Sequence, residues 1–276
     1  MIKILFLLGI DKKLYKHSKF NGKFKVKLSN NTSFKIYGFK SIYCSFYYTG
    51  IYNKWEKTSI ILWENFAKYS SCIFDVGSNV GIYSLVAATI NKKSEIFAFV
   101  PDSIAFNRLN KNIKLNKFNI YSNNVVVTDK SGLSTFYQNN NSLISSLEKD
   151  LNSFPIEIES VSINDFCKIN NVIPQLIKID VEGFENLVFD GMVDLFKFEP
   201  IVIVEILPKN FIQMYSHLLK IVPSNLLIFG IDENGGVYSS NYFNDVTNFR
   251  NYLIISESKF NLFEDITKKE LIKIIK

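Results

Sequence analysis

The chain has 276 residues, 47 % hydrophobic and 21 % charged, with a formal net charge of +6. This composition excludes a disordered, collagen-like or disulfide-scaffold chain, and the length suffices to bury a sizeable core. Three cysteines, Cys44, Cys72 and Cys167, form no CxxC pair, and only His17 and His217 accompany them. That set argues against a zinc or iron–sulfur site and for a reducing, cytoplasmic setting.

Thirty of the 32 basic residues are Lys, and only Arg108 and Arg250 are Arg; Asn also occurs 30 times. This is the codon bias of an AT-rich genome, so abundant Lys and Asn carry no functional signal. Residues 1–40 hold ten Lys and one acid, Asp11. The segment reads as a solvated basic edge, with contact to a membrane surface or an anionic glycan as the functional alternative. Scarce Arg disfavours nucleic-acid partners. Ile2 to Ile10 is about half the apolar length that a membrane-spanning helix needs and fits a buried strand better.

Residues 1–52 read as short strands: Phe24 to Leu28, Phe34 to Tyr37 and Ile42 to Tyr47, with Asn30-Asn31 as a turn. Trp55 to Tyr69 reads as a helix. A strand–helix rhythm follows: strand Cys72 to Val76, helix Gly81 to Ile90, strand Glu95 to Val100, helix Ser103 to Asn116, strand Ile120 to Val127. An irregular insert spans about 129–170, with an alternating run from Ile156 to Val161. The rhythm resumes with strand Leu176 to Asp180, helix Asn186 to Phe196, strand Ile201 to Ile206 and helix Phe211 to Ile221. Strands Leu226 to Ile231 and Tyr252 to Ile255 follow, and Glu264 to Ile275 closes as a helix. Strands alternating with helices predict an α/β, mostly parallel, doubly wound sheet.

The strongest local signal is Phe74-Asp75-Val76-Gly77-Ser78-Asn79-Val80-Gly81-Ile82-Tyr83-Ser84. A strand ends in Asp, and a Gly-containing turn opens a helix. Gly77 permits an unusual backbone or a close ligand approach, and Gly81 permits close packing. Helix N-termini offer unpaired N–H groups to a carboxylate or phosphate. The turn is neither G-x-G-x-x-G nor a P-loop, because Asn79 replaces the second Gly of the former.

With these residues the chain resembles the FkbM family of S-adenosylmethionine-dependent methyltransferases. The turn is similar to D-V-G-A-N-x-G-x-Y-S with Ser78 for Ala. Ala98-Phe99-Val100-Pro101 resembles A-F-E-P, and Asn112-Ile113-Lys114-Leu115-Asn116 resembles N-x-x-L-N. Ser145-Ser146-Leu147 resembles S-S-L, and Leu176 to Glu185 resembles L-I-K-I-D-V-E-G-x-E. Pro200 to Ile206 resembles the family's next strand. The likeness covers about residues 55–256.

The resemblance implies a class I methyltransferase (Rossmann-like) fold: a mostly parallel seven-stranded sheet with a final antiparallel strand. It divides the chain into a basic β-rich extension, residues 1–52, and a methyltransferase domain, residues 53–276. It implies S-adenosylmethionine as cofactor and a hydroxyl on a glycan or secondary metabolite as acceptor. Asp75, Gly77, Ser78, Asn79, Gly81 and Tyr83 form the cofactor turn, and Asp129 falls near the adenine. Asp180 falls at the methyl-transfer site. Two departures matter. Val100 stands where the family has an acid that accepts from the ribose hydroxyls, with Asp102 two residues on as a substitute. In Ile163-Asn164-Asp165-Phe166, Asn164 replaces the first Asp of L-D-D-F.

Transfer to a hydroxyl needs in-line orientation and a base. The candidate acids are Asp180, Glu182, Glu185 and Glu205. Glu185 has a plain reading as a helix-start acid. Glu205 interrupts an apolar strand and so needs a partner or a site. His217 reads as a surface or packing residue on an amphipathic helix. Asp180 and Glu205 would suit Mg²⁺, but metal dependence is not expected. Two alternatives stand beside the enzyme: a relative that lost cofactor binding, which Val100 favours, and a nucleotide-dependent oxidoreductase, which Asn79 and Val100 disfavour.

Overall fold

The computed structural model describes residues 21–39, 46–47, 49–52, 56–139, 153–243, 249–270 and 272–275. The expected strand at Ile2 to Ile10 and the Ser145–Leu147 element lie outside these residues, as does most of the expected strand from Ile42. Phe46 and Tyr47 are helical rather than extended.

A hairpin opens the described chain: β1 (Asn21–Lys27) pairs antiparallel with β2 (Ser33–Phe39). Helix α1 (Lys57–Ala67) follows, then β3 (Cys72–Val76), α2 (Ile82–Ile90), β4 (Glu95–Phe99), α3 (Ser103–Asn116) and β5 (Ile120–Asn123). The expected strand Ile120 to Val127 breaks here, because β6 (Val126–Val127) leaves for a second sheet. The insert is more regular than its sequence suggests. It contains β7 (Gly132–Asn139), β8 (Ser153–Val161) and α4 (Ile163–Asn170), with β6-β8-β7 forming a three-stranded sheet.

The main run resumes with β9 (Leu176–Ile179), α5 (Glu185–Asp190), β10 (Ile201–Glu205), α6 (Phe211–Ile221), β11 (Leu226–Asp232) and β12 (Gly236–Ser239). It ends with β13 (Asn251–Ser256), α7 (Phe260–Lys269) and β14 (Lys273–Ile275). The expected helix Asn186 to Phe196 divides into α5 and a 3₁₀ segment, Val193–Phe198. The expected terminal helix starts four residues earlier and ends before β14, which adds a strand instead.

The large sheet has the order β14-β12-β11-β13-β10-β9-β3-β4-β5. From β5 through β10 the strands are parallel, and β13 runs antiparallel to both β10 and β11. These seven strands have the class I methyltransferase topology; β12 and β14 extend its edge to nine. Parallel strands covered on both faces are near-continuous apolar runs, and β3, β9 and β10 are buried at every residue, with Asp75, Lys178 and Glu205 as their polar members.

Two cores result. One lies under α1, α2, α3 and α7, with Trp63 and Phe66 at its centre. The other lies under α4, α5 and α6, around Phe74, Phe99 and Phe189. The hairpin alternates cleanly, with Phe24, Val26, Phe34 and Ile36 all buried in the first core. Burying each such side chain contributes about 1.5–3 kcal/mol. Asn116 accepts from the Lys35 amide at 2.6 Å and donates to the Lys35 carbonyl at 2.7 Å. Asn112 accepts from Tyr37 N–H at 3.0 Å and donates to the Val80 carbonyl at 3.0 Å. The paired asparagines thus join the hairpin to α3 and to the turn after β3.

Candidate functional site

Parallel β3, β4 and β9 bring their carboxyl ends side by side. After β3 the chain turns at Gly77, which has φ +80°. A Cβ there would lie 1.7 Å from the Asp180 carbonyl oxygen, so only glycine fits. The Gly77 and Ser78 amides both donate to the Phe99 carbonyl, at 3.0 and 2.9 Å, and pin the turn to β4. Asn79 takes the left-handed conformation, and its Oδ1 is buried without a hydrogen-bond partner among the described residues.

An open cleft lies here, with an enclosed volume of about 100 Å³. Gly77 and Asn79 line it, as do Val100 and Asp102. Val125, Val126, Val127 and Phe136 supply apolar lining, and Asp180, Glu182 and Phe184 join it, Asp180 lying against the Gly77 turn. Its mixture of apolar wall and few polar groups is that of small-molecule sites.

The expected site residues separate into two sets. Gly77, Asn79, Val100, Asp102, Asp180 and Glu182 line the cleft together. The others sit outside its lining. Ser78 is bound to the Phe99 carbonyl. Gly81 faces α3: a Cβ there would lie 2.4 Å from Leu109 Cδ1, so its freedom serves helix packing. Asp129 lies past β6, beside Gly191, with Thr128 Oγ1 donating to it at 3.0 Å. Tyr83 is buried and donates to Glu56 at 2.6 Å. Asp75 is buried and accepts from the Ser84 amide at 2.9 Å and hydroxyl at 2.6 Å, which caps α2. Burial pushes the Asp75 carboxyl up to about 6 despite those two bonds. Asp102 caps α3 through Ala105 N–H at 2.7 Å, so one carboxylate oxygen is already engaged.

The acids also sort by what they already bind. Glu185, the first residue of α5, accepts from Gly183 N–H at 2.9 Å and braces its own loop. Glu205 pairs with Arg250 at 2.5 Å; burial and Asp180 raise its carboxyl, while Lys178 and Arg250 oppose that. Glu182 has φ 55° in the turn after Asp180, and burial raises its carboxyl too. His217 faces outward and pairs with Asp190 at 2.9 Å. Among the described residues no group of three or more His, Cys, Asp or Glu is placed to hold a metal ion. No described helix is long and apolar enough to cross a membrane.

Three residues behind the cleft were not singled out by sequence reasoning: Glu56, Lys178 and Glu233. Glu233 accepts from the Thr58 and Ser59 amides at 2.7 and 3.2 Å and so caps α1. Lys178 is a cation in the apolar run Leu176-Ile177-Lys178-Ile179, the same signal that marked Glu205. Glu56 and Glu233 carry no local signal, because only the fold brings them near β9.

A model of the methyltransferase FkbM domain matches residues 75–249. A hexuronic acid methyltransferase, AglP, from Haloferax volcanii is 28 % identical over 141 residues, covering 51 % of this chain and 57 % of that protein. The chain therefore spans little more than half of that curated relative. A methyltransferase FkbM from Methylobacillus flagellatus has a TM-score of 0.46 at 15 % identity, covering 67 % of this chain and 43 % of that one. An Agrobacterium tumefaciens SAM-dependent methyltransferase scores 0.48 at 9 % identity, covering 87 % and 72 %. A Bacillus cereus O-methyltransferase, solved with SAH, scores 0.45 at 8 % identity, covering 72 % and 81 %. With the family model matching well over half of its length, the chain belongs to the FkbM methyltransferase family.

Proposed function

We propose that this protein is an S-adenosylmethionine-dependent methyltransferase that O-methylates a hydroxyl on a glycan or related secondary metabolite. The observation that carries the reading is the cleft itself. Asn79, whose buried Oδ1 has no hydrogen-bond partner among the described residues, lines it together with Asp180 and Glu182. A buried acceptor without a donor costs free energy unless a ligand supplies one. The cofactor's ammonium is such a donor, and the valines with Phe136 suit a flat apolar ring. Gly77 leaves the turn no side chain on its Asp180 side.

The residues present therefore fit the cofactor, with Gly77, Asn79, Val100 and the apolar wall as its holders. When bound, it supplies an electrophilic methyl group. Asp180 and Glu182 then orient the acceptor hydroxyl and take its proton. Glu205 serves through Arg250: it holds the guanidinium at the end of β10, where the Ile206 amide also binds the Arg250 carbonyl at 2.7 Å. The sugar acceptor is supported by the name of the Haloferax volcanii relative. The cytoplasmic setting rests on cysteine usage alone.

Val100 favours a second reading, a relative that has lost cofactor binding, because an alkyl group cannot accept from a ribose hydroxyl. Isothermal calorimetry with S-adenosylmethionine and S-adenosylhomocysteine separates the two. Saturable binding of both supports the enzyme. Absence of binding by a folded protein would overturn it.

A further inference from the structure

Lys178 is 1 % exposed, in the middle of the central strand β9. A buried ammonium is expensive unless it is paired. Among the described residues, no carboxylate oxygen lies within 4.0 Å of it. Its Nζ instead donates to Asn251 Oδ1 at 3.2 Å and to the Ile179 carbonyl at 3.3 Å, and it lies 5.2 Å from the centre of the Tyr83 ring.

Acids surround it one layer out. Asp75 is its register partner on β3, so both side chains leave the same face of the sheet. Tyr83 carries Glu56 on its hydroxyl at 2.6 Å. Asn251 donates to Glu233 at 3.2 Å and is the register partner of Glu205 on β10. Asp180 follows two residues later, just past the end of the same strand. A single cation is thus linked, through one ring and one amide, to Glu56 and Glu233 at the N-terminus of α1 and to the start of β13.

We infer that Lys178 is a positioning residue of the transfer site: its ammonium is the counter-charge around which Glu56, Asp75 and Asp180 are gathered beside the cleft. The inference rests on the methyl-transfer reading above. The charge balance agrees with it. Burial alone would lower the Lys178 ammonium, yet Asp180, Glu56, Glu205 and Asp75 together hold it above its ordinary value. In return Lys178 restrains the upward pull of burial on Glu56 and on Asp75. Without it, several carboxylates would face one another in a low-dielectric interior, where like charges cannot all remain ionised.

The test is NMR titration of the full chain. In wild type, ¹⁵N-labelled lysine should show the Lys178 side chain as an ammonium from pH 6 to 9; a neutral amine would overturn the inference without any variant. In Lys178→Met, which keeps the stem and removes the charge, the Glu56 and Asp75 carboxyl carbons should titrate about one unit higher or more, a tenfold rise in proton affinity. Lys178→Arg should restore them. Unchanged titration in a folded Lys178→Met protein would also overturn the inference. S-adenosylhomocysteine calorimetry on the same samples reports the methyl-transfer reading separately. Shifted carboxyls with no cofactor binding by wild type would sink that reading and leave the counter-charge standing.

Discussion

Gly77 and Asp180 touch through backbone alone: the missing side chain of the first would occupy the carbonyl oxygen of the second, 1.7 Å from its Cβ position. The approach of the two loops that line the cleft is therefore set by one glycine. Gly77→Ala should separate them and should also strain a residue at φ +80°. Strain of that kind costs about 1–3 kcal/mol. Calorimetry should show S-adenosylhomocysteine binding lost or reduced at least about tenfold, which is about 1.4 kcal/mol. Gly81→Val tests the contrast. Its side chain would meet Leu109 rather than the cleft, so the melting temperature should fall while cofactor affinity of the folded protein changes little.

Asp180 lines the cleft at the end of the strand that carries the sheet's central cation. Asp180→Asn keeps the size and removes the base. Turnover with an accepting glycan should fall about 10²- to 10⁴-fold, with S-adenosylhomocysteine affinity nearly unchanged. Near-normal turnover would move the role to Glu182, its neighbour in the lining.

Val100 and Asp102 make opposite predictions. Asp102 is buried and caps α3, so Asp102→Ala should cost about 0.5–2 kcal/mol of stability, read by thermal melting. Its effect on cofactor affinity should be small. Val100 lines the cleft, and Val100→Glu places a carboxylate where the family has one. A hydrogen bond to a charged acceptor contributes about 1.5–3 kcal/mol, so affinity should tighten by about tenfold or more. Flat affinity for Val100→Glu together with a loss for Asp102→Ala would reverse the assignment.

Glu205 already holds Arg250 at 2.5 Å, which leaves it a poor partner for a cation shared with Asp180. Methyl transfer should therefore survive EDTA. Activity lost on chelation and rescued by Mg²⁺ would mean that a metal organises the acceptor instead.

Glu56 gives the fold a pH dependence. Burial raises its carboxyl from 4.5 to about 7, helped by Asp180 and Glu233 and opposed by Lys178 and the Tyr83 bond. A carboxyl raised on folding binds its proton more tightly in the native state. Its contribution to stability is full below pH 4.5 and is lost as the pH rises through about 7. Glu56→Gln should flatten that part of the melting-temperature profile and leave the acid end little changed. An unaltered slope between pH 4.5 and 7 would contradict this.

The sequence by itself determined the main sheet. Buried parallel strands are near-continuous apolar runs, so Cys72 to Val76 and Ile201 to Glu205, each broken by a single acid, stand out from the amphipathic helices between them. The helix Ser103–Asn116 could be read to the residue, between the Asp102 cap and a left-handed Lys117. The Gly turn and Asp180 could be placed at the cleft because strand ends and tight turns are local features. Short edge strands could not be read, because their backbone bonds depend on a neighbour: Lys273–Ile275 looks helical until β12 is beside it. The partners of each polar group were equally hidden. Gly81 answers to Leu109 on another helix, and Asn116 to Lys35, which lies 81 residues away. Lys178, Asn251, Tyr83 and Glu56 span 196 residues of chain, and nothing in their spacing joins them. Only the order of the sheet does so, by setting β3, β9, β10 and β13 near one another in an interior where a charge must find its counter-charge or not be buried at all.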